Sequence, residues 1–376
     1  MLRLSSVPVG WTSTGSLRVL HHGTFRSLLV ALFTVGLLVL AAPPASAHIG
    51  GGAAGSNFDG RVTAVTPSAP VLSVRVLQFG DEIELVNDTG QEVLVPGYSD
   101  EPYLRIGPDG VYRNANSPAT YLNLNRYATL SLPDIADAAA EPDWQQLSTE
   151  PYHVWHDHRT HWMSPSQLPP AVAADPTRTH TVSTWTIPLA HGGTELAVTG
   201  ELTWSPPPSP WLIWPGVVAL FLAAVTAGWR ARTARPLGWL LLVAAAGSVW
   251  HVATTPEPPI TAASHVGAIV SAALPAAILV GAAVVGMRAS RRPESSSLTG
   301  LMAIVVSWLL LSQGLPDVDA LWTAVVLPTG PAPLARAAVG VLVGLGLGLL
   351  AGGVLAVRRF RDRDAEAPTE LAQAAA

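Results

Sequence analysis

One short segment, residues 152–163, contains four of the eleven histidines in this 376-residue chain. The segment's candidate ligands are His153, His156, Asp157, His158 and His161. Imidazole nitrogens and carboxylates bind metal ions, and the chain has no cysteine, so thiolate ligands are excluded. Nitrogen-rich donor sets without sulfur suit Cu(II), Zn(II) and Ni(II). The pattern therefore predicts a metal site, with copper favoured and zinc as the alternative ion.

The backbone of the segment decides which of these side chains meet. In an extended strand His156 and His158 share one face, whereas in a helix His158 and His161 share one. A structural role is the alternative, in which the histidines pack against the domain and Arg159 pairs with Asp157. Because the chain has neither a G-x-S-x-G nor an H-E-x-x-H motif, we predict that it is not an enzyme.

Residues 1–47 have the pattern of a secretory signal peptide. Arg18 and Arg26 precede an apolar run, Leu28–Ala42, and the small residues Ala45 and Ala47 form an A-x-A cleavage motif. Cleavage there would make His48 the first residue of the exported chain. An N-terminal histidine offers its amine and its ring nitrogen to one ion, which suits Cu(II). We therefore include His48 among the candidate ligands.

Residues 48–205 alternate between apolar and polar side chains in short runs separated by turn residues. Turn signals at 87–90, 107–110 and 192–193 predict hairpins. Many short strands of this kind predict an exported β-sandwich of the immunoglobulin or cupredoxin-like class. The alanine- and proline-rich stretch 132–150 is predicted to be a loop, and the histidine segment to lie on a long connection between strands.

A proline linker at 206–210 leads to a membrane domain, 211–357, followed by a tail, 358–376. Each predicted span has about the 20 apolar residues that a bilayer requires. The five spans are Trp211–Trp229, Pro236–Thr254, Ser264–Met287, Leu298–Leu315 and Ala337–Val357. Arginine groups after the first, third and fifth spans predict that the tail is cytoplasmic. We therefore expect a multi-pass plasma-membrane protein with its N-terminal domain outside the cytoplasm.

The net charge of the exported region and the glycines of the last span indicate which partners to expect. Residues 48–210 contain 18 acidic residues and 7 arginines, a net charge of −11, which argues against nucleic acid as a partner. The last span carries glycines at every fourth position, which lets helices approach closely. These glycines, which predict a packed bundle or a homo-oligomer, are Gly340, Gly344, Gly348 and Gly352. The remaining expected partners are lipid, a metal ion and a protein partner of the exported domain.

Two stretches near the end of the exported region, 181–185 and 198–204, resemble the last two strands of CopC-type copper-resistance domains. The order of the segments is also similar to members of that family that are fused to a membrane domain. His48 begins the exported chain, and a membrane domain follows the exported region. The resemblance implies a β-sandwich that binds copper through His48. At the positions of the family's Asp-Gly-His ligands this chain has Thr194 and Leu196 instead.

These observations lead to two functional hypotheses. In the first, the chain is a membrane-anchored metal-binding protein that captures or hands over an ion outside the cytoplasm. In the second, it is a non-catalytic envelope interaction protein whose histidine cluster is only structural. Convergence of the ring nitrogens in three dimensions would favour the first hypothesis.

Overall fold

The computed structural model describes residues 55–256, 259–260, 265–327 and 329–374. The predicted signal peptide and His48 lie outside these residues. The strands are β1 (Phe58–Thr66), β2 (Leu72–Leu77), β3 (Glu82–Asn87), β4 (Val93–Pro96), β5 (Pro102–Gly107), β6 (Gly110–Asn114), β7 (Trp144–Ser148), β8 (Tyr152–His156), β9 (His180–His191) and β10 (Thr194–Trp204). The helices are α1 (Pro118–Leu122), α2 (Pro170–Ala174), α3 (Pro210–Arg230), α4 (Arg235–Ala253), α5 (His265–Ser290), α6 (Ser296–Gly314) and α7 (Ala332–Ala374), with short 3-10 turns at Gln78–Gly80, Pro293–Ser295 and Val318–Leu321.

The strands form two antiparallel sheets that share one apolar core. The larger sheet has the order β1-β10-β9-β4-β5-β6-β7, and the smaller has the order β2-β3-β8. Leu85 and Trp155 of the small sheet and Ile106 and Trp185 of the large sheet belong to the same buried cluster. Burial of such side chains stabilises a fold by roughly 1.5–3 kcal/mol each. The expectation of a β-rich domain is thus confirmed.

Two of the three predicted hairpins are present. β5 and β6 pair through the turn at 107–110, and β9 and β10 pair through Gly192 and Gly193. The hairpin predicted at 87–90 is wrong, because β3 pairs with β2 and β8 whereas β4 pairs with β5 and β9. The amide of Asn87 donates hydrogen bonds of 2.7 Å to the carbonyls of Gln91 and Ile106. These bonds stabilise a turn conformation in which the chain passes from the small sheet to the large sheet.

The stretch 132–150 is not a loop throughout, because β7 lies within it as the edge strand of the large sheet. The histidine segment likewise begins on a strand, β8, whereas we expected it on a connection between strands. β8 pairs with β3 so that His156 faces Glu82 across the ladder. The two strands that the sequence did not reveal, β7 and β8, are each five residues long. Such short strands depend on their partners more than on their own residue types.

In the part of the chain that the structure describes, five helices are long and apolar enough to cross a membrane, as predicted. The glycine face of α7 packs against α3 of the same chain. A Cβ at Gly344 would lie 2.7 Å from the carbonyl oxygen of Val217, and one at Gly348 would lie 2.7 Å from that of Phe221. Only glycine permits this approach, so a homo-oligomer formed through the same face would have to displace α3.

The β-rich part contacts the helical part at points other than the linker. Ser56 forms a β-bridge with Val325, in the segment between α6 and α7. The backbone N–H of Ile260, between α4 and α5, donates a hydrogen bond of 2.6 Å to the Glu84 carboxylate on β3. The small sheet that carries β8 is therefore attached to the helical part through β3.

Candidate metal centre

A tight turn after β8 brings three histidines together. The strand ends at His156, and the chain then reverses over 157–161. The Thr160 N–H donates to the carbonyl oxygen of Asp157 at 3.2 Å, and its hydroxyl donates to the same oxygen at 2.7 Å. This geometry is neither the strand nor the helix considered from the sequence. It places His156 before the turn, with His158 and His161 on it.

The Asp157 carboxylate, which is fully buried, holds the turn together. It accepts hydrogen bonds from Nε (2.8 Å), Nη2 (2.7 Å) and the backbone N–H (3.1 Å) of Arg159, and from the indole N–H of Trp155 (3.0 Å). Paired, bidentate contacts of this kind are among the strongest in proteins. The predicted pairing of Arg159 with Asp157 is therefore present, and it engages both carboxylate oxygens.

Gly80, just before β3, allows the turn to pack closely. Its φ is +122°, a backbone conformation that favours glycine, and a Cβ there would lie 2.8 Å from the Thr160 carbonyl oxygen. The hydroxyl of Thr160 also lies within hydrogen-bonding distance of the Gly80 carbonyl, so its single proton is shared between this oxygen and that of Asp157. The turn is thus fixed to the beginning of β3 as well as to its own strand.

The rings of His156, His158 and His161 form a compact group. One nitrogen from each ring lies within 4.8 Å of the others. The ring centroids are 5.5 Å apart for His156 and His158, 5.1 Å for His156 and His161, and 5.6 Å for His158 and His161. The Tyr98 ring stacks on His158 at 5.8 Å, and its hydroxyl accepts the His158 backbone N–H at 3.0 Å. Packing and hydrogen bonding therefore orient the cluster.

Hydrogen bonds to backbone carbonyls select the ring nitrogen that each histidine presents. Nε2 of His158 lies 2.8 Å from the carbonyl of Asn125, which can only accept, so Nε2 carries the proton and Nδ1 has the free lone pair. Nδ1 of His161 likewise donates to the Trp162 carbonyl at 3.2 Å. In the described residues, Nε2 of His161 and Nε2 of His156 are buried without a hydrogen-bond partner. Metal-binding histidines show this outer-shell pattern.

Two of the three histidines, His156 and His161, are held in the neutral form that binds metals. Burial, together with repulsion from Arg126 and from His158 when that ring is protonated, lowers the pKa of His156 to about 4. Burial also lowers the pKa of His161 to about 4, despite the hydrogen bond to Trp162. At neutral pH these rings therefore keep their lone pairs free of protons.

A carboxylate that the sequence did not point to lies beside the cluster. Oδ1 of Asp81 is 4.0 Å from Nε2 of His156 and forms an ion pair with Arg126. Asp81 comes immediately before β3, and the pairing of β3 with β8 brings it to the histidines. No spacing rule in the sequence connects residue 81 to residue 156, so only strand pairing reveals it.

Two further predicted ligands, His153 and Asp157, do not belong to this cluster. His153 stacks on Trp155, with ring centroids 6.4 Å apart and planes 10° apart, and it lines a cavity rather than the cluster. Asp157 is engaged by Arg159, and His48 lies outside the described residues. The structure thus brings together three of the six candidate ligands, His156, His158 and His161.

The stability of the metal-free chain is expected to fall as the pH drops from 6.5 to 4, partly through His153. Burial, together with the charge of Arg113, lowers the pKa of His153 from its usual 6.5 to about 4. The unfolded chain therefore binds more protons than the folded one in this range, and the loss levels off below pH 4. Melting temperatures measured in chelator from pH 7.5 to 4 should show a shallower slope for His153→Gln. Equal slopes for the two proteins would contradict this assignment.

The three ring nitrogens are suitable donors for a transition metal, but the distances between them are somewhat longer than a bound ion requires. A tetrahedral ion with metal–nitrogen bonds of about 2.0–2.1 Å needs nitrogens about 3.4 Å apart, so the rings need to close by roughly 1 Å. Three histidines leave at least one coordination position open, as in sites that exchange ligands.

Comparisons with family models, curated proteins and solved structures found no match for this chain. The fold and the site together define a multi-pass membrane protein with a β-rich domain that carries a three-histidine cluster able to hold a metal ion.

Proposed function

We propose that this chain is a membrane-anchored protein that binds a transition metal outside the cytoplasm and captures it or hands it over. The observation that carries the proposal is the convergence of His156, His158 and His161, with one nitrogen of each within 4.8 Å of the others. Neutral rings, buried free lone pairs and backbone carbonyls behind two of the rings are what a metal centre requires.

Copper is the favoured ion. Imidazole nitrogens with a nearby carboxylate and no thiolate suit Cu(II), which also heads the affinity order of divalent first-row metals. The resemblance of residues 181–204 to CopC-type domains supports copper, and His48 would add a second nitrogen-rich site at the mature N-terminus. Two sheets around one core support a sandwich of the immunoglobulin or cupredoxin-like class. Zinc remains the alternative, because three histidines also suit it.

The arginine distribution supports an orientation with the cluster outside the cytoplasm. Arg230 ends α3, Arg288 lies in the last turn of α5, and an arginine group at 358–363 follows the apolar part of α7. With five spans these groups fall on one side, which the positive-inside rule places in the cytoplasm. The β-rich domain, which precedes α3, then lies on the opposite side.

The second candidate function is an envelope interaction protein in which the cluster is structural. The ion pair of Asp157 with Arg159 favours it, because this pair holds the turn without any metal. In that case, buried Nε2 atoms of His156 and His161 would serve packing alone. Metal titration separates the two functions.

The test is a titration of Cu(II) and Zn(II) into the full chain, purified in detergent and stripped with chelator. We expect tight binding at the cluster to be lost when His156, His158 and His161 are all changed to alanine. A matched control replaces His180 and His191, which hydrogen-bond to the Asp175 carbonyl and the Thr89 hydroxyl. Weak binding that is equal in all three proteins would exclude the metal function.

A further inference from the structure

A cavity of about 370 Å³ lies directly beside the metal centre. Its wall includes His156, so one residue belongs both to the histidine cluster and to the cavity. Arg113, Arg126, Glu82 and His153 supply further polar groups of the lining. The volume suits a small molecule of a few carbon atoms rather than a peptide.

The cavity is electropositive, although the domain around it is acidic. Arg113 and Arg126 line the cavity together with one acid, Glu82; because Arg126 pairs with Asp81, Arg113 carries the positive charge that no carboxylate matches in the described residues. Burial raises the pKa of Glu82, which disfavours its charged form. Nη2 of Arg113 donates to the side-chain oxygen of Gln145 at 3.5 Å, its one hydrogen bond to a described residue. Positive charge in a recess attracts anions of matching size.

The Arg113 side chain also has a donor that no described group satisfies. Its Nε is buried and has no hydrogen-bond partner among the described residues. Buried donors are nearly always paired in folded proteins, so the Arg113 Nε needs a partner, which a water molecule or a bound anion would supply. Guanidinium groups bind carboxylates and phosphates through paired N–H donors.

The charge of a loaded metal centre points to the same ligand. A divalent ion held by three neutral imidazoles keeps its +2 charge, and Asp81 is already neutralised by Arg126. Uncompensated charge in a partly buried site is costly. An anion in the adjoining cavity would reduce this charge and could occupy the coordination position that the histidines leave open.

We infer that the cavity binds a small oxyanion, a carboxylate or a phosphate, between Arg113 and Arg126, and that this anion completes the coordination of the metal beside His156. The part concerning the metal rests on the proposed function. The part concerning the anion does not, because the arginines and the cavity are present without any ion.

The first experiment is calorimetric titration of succinate and, separately, of inorganic phosphate into the full metal-free chain in detergent. We expect at least one of the two to bind, and the Arg113→Gln variant to bind it about tenfold or more weakly. The control is Arg105→Gln, because Arg105 pairs with Glu92 away from the cavity. Binding of neither anion at about 10 mM, or equal binding by the Arg113 variant and wild type, would overturn the inference.

The second experiment records the electron paramagnetic resonance spectrum of the Cu(II)-loaded chain with and without the anion that binds. A change in wild type that is absent in Arg113→Gln supports coordination by the anion. An unchanged spectrum overturns coordination. If the chain binds the anion but no metal, the proposed metal function and the coordination of metal by the anion fail, while the anion site stands. If the chain binds metal but no anion, only the present inference fails.

Discussion

Replacing His161 with alanine is expected to weaken Cu(II) binding by more than about 100-fold. Loss of an outer-shell partner typically costs 10- to 100-fold in metal affinity, and His161 would supply a ligand itself. Its Nε2 is buried and free of hydrogen bonds in the described residues, while Nδ1 is fixed by the Trp162 carbonyl. Competition with a chelator of known affinity would measure the change.

The matched control for this measurement is His153→Ala. His153 is a neighbouring buried histidine whose pKa is also low, but it stacks on Trp155 outside the cluster. Its loss should leave Cu(II) affinity within a few-fold of wild type. Melting temperatures of both variants would show whether they are folded to the same extent. Equal affinities for folded His161→Ala and wild type would mean that the cluster is not the metal site.

Replacing Asp157 with alanine is expected to lower the free energy of unfolding by about 3–5 kcal/mol, the usual cost of removing one partner of a buried ion pair. The change would leave the Arg159 guanidinium without its carboxylate and the Trp155 indole N–H without an acceptor. Denaturant unfolding of the full chain in detergent would measure the loss.

A double variant separates the cost of leaving the Arg159 charge unpaired from the cost of losing the bonds that hold the turn. In Asp157→Ala combined with Arg159→Leu, no unpaired buried cation remains, so part of the lost stability should return. Asp134→Ala is the control, because that exposed carboxylate should change stability by no more than about 0.5 kcal/mol. A loss below about 1 kcal/mol for Asp157→Ala would show that the pair does not hold the turn.

The sequence predicted the membrane helices well because each depends on its own composition. A run of about 20 apolar residues must be helical in a bilayer, whatever its neighbours are. The glycines of the last span predicted a packed bundle or a homo-oligomer, since small residues allow close approach. In the structure, Gly344 and Gly348 pack α7 on α3 of the same chain. The sequence does not show which helix packs against the glycine face of α7, and the structure was needed to identify it as α3.

The β-rich part was less predictable because strand pairing is not local. The alternation in β3 and β4 suggests a hairpin, yet the turn between them crosses from one sheet to the other. The composition of the histidine segment identified the cluster, but not which members meet. Their convergence depends on the Asp157 turn, on Gly80, and on the pairing of β8 with β3, which also brings Asp81 alongside.

The self-contained turn at 157–161 has a consequence for the speed of metal exchange. Many small metal sites fold only when the ion binds, so release of the ion requires unfolding. Here the bonds between Asp157 and Arg159 join protein groups alone, so we expect them to order the turn independently of an ion. Little conformational entropy is then lost on binding or regained on release. Exchange would be limited by breaking metal–nitrogen bonds alone, as suits a carrier that passes its ion on rather than one that stores it.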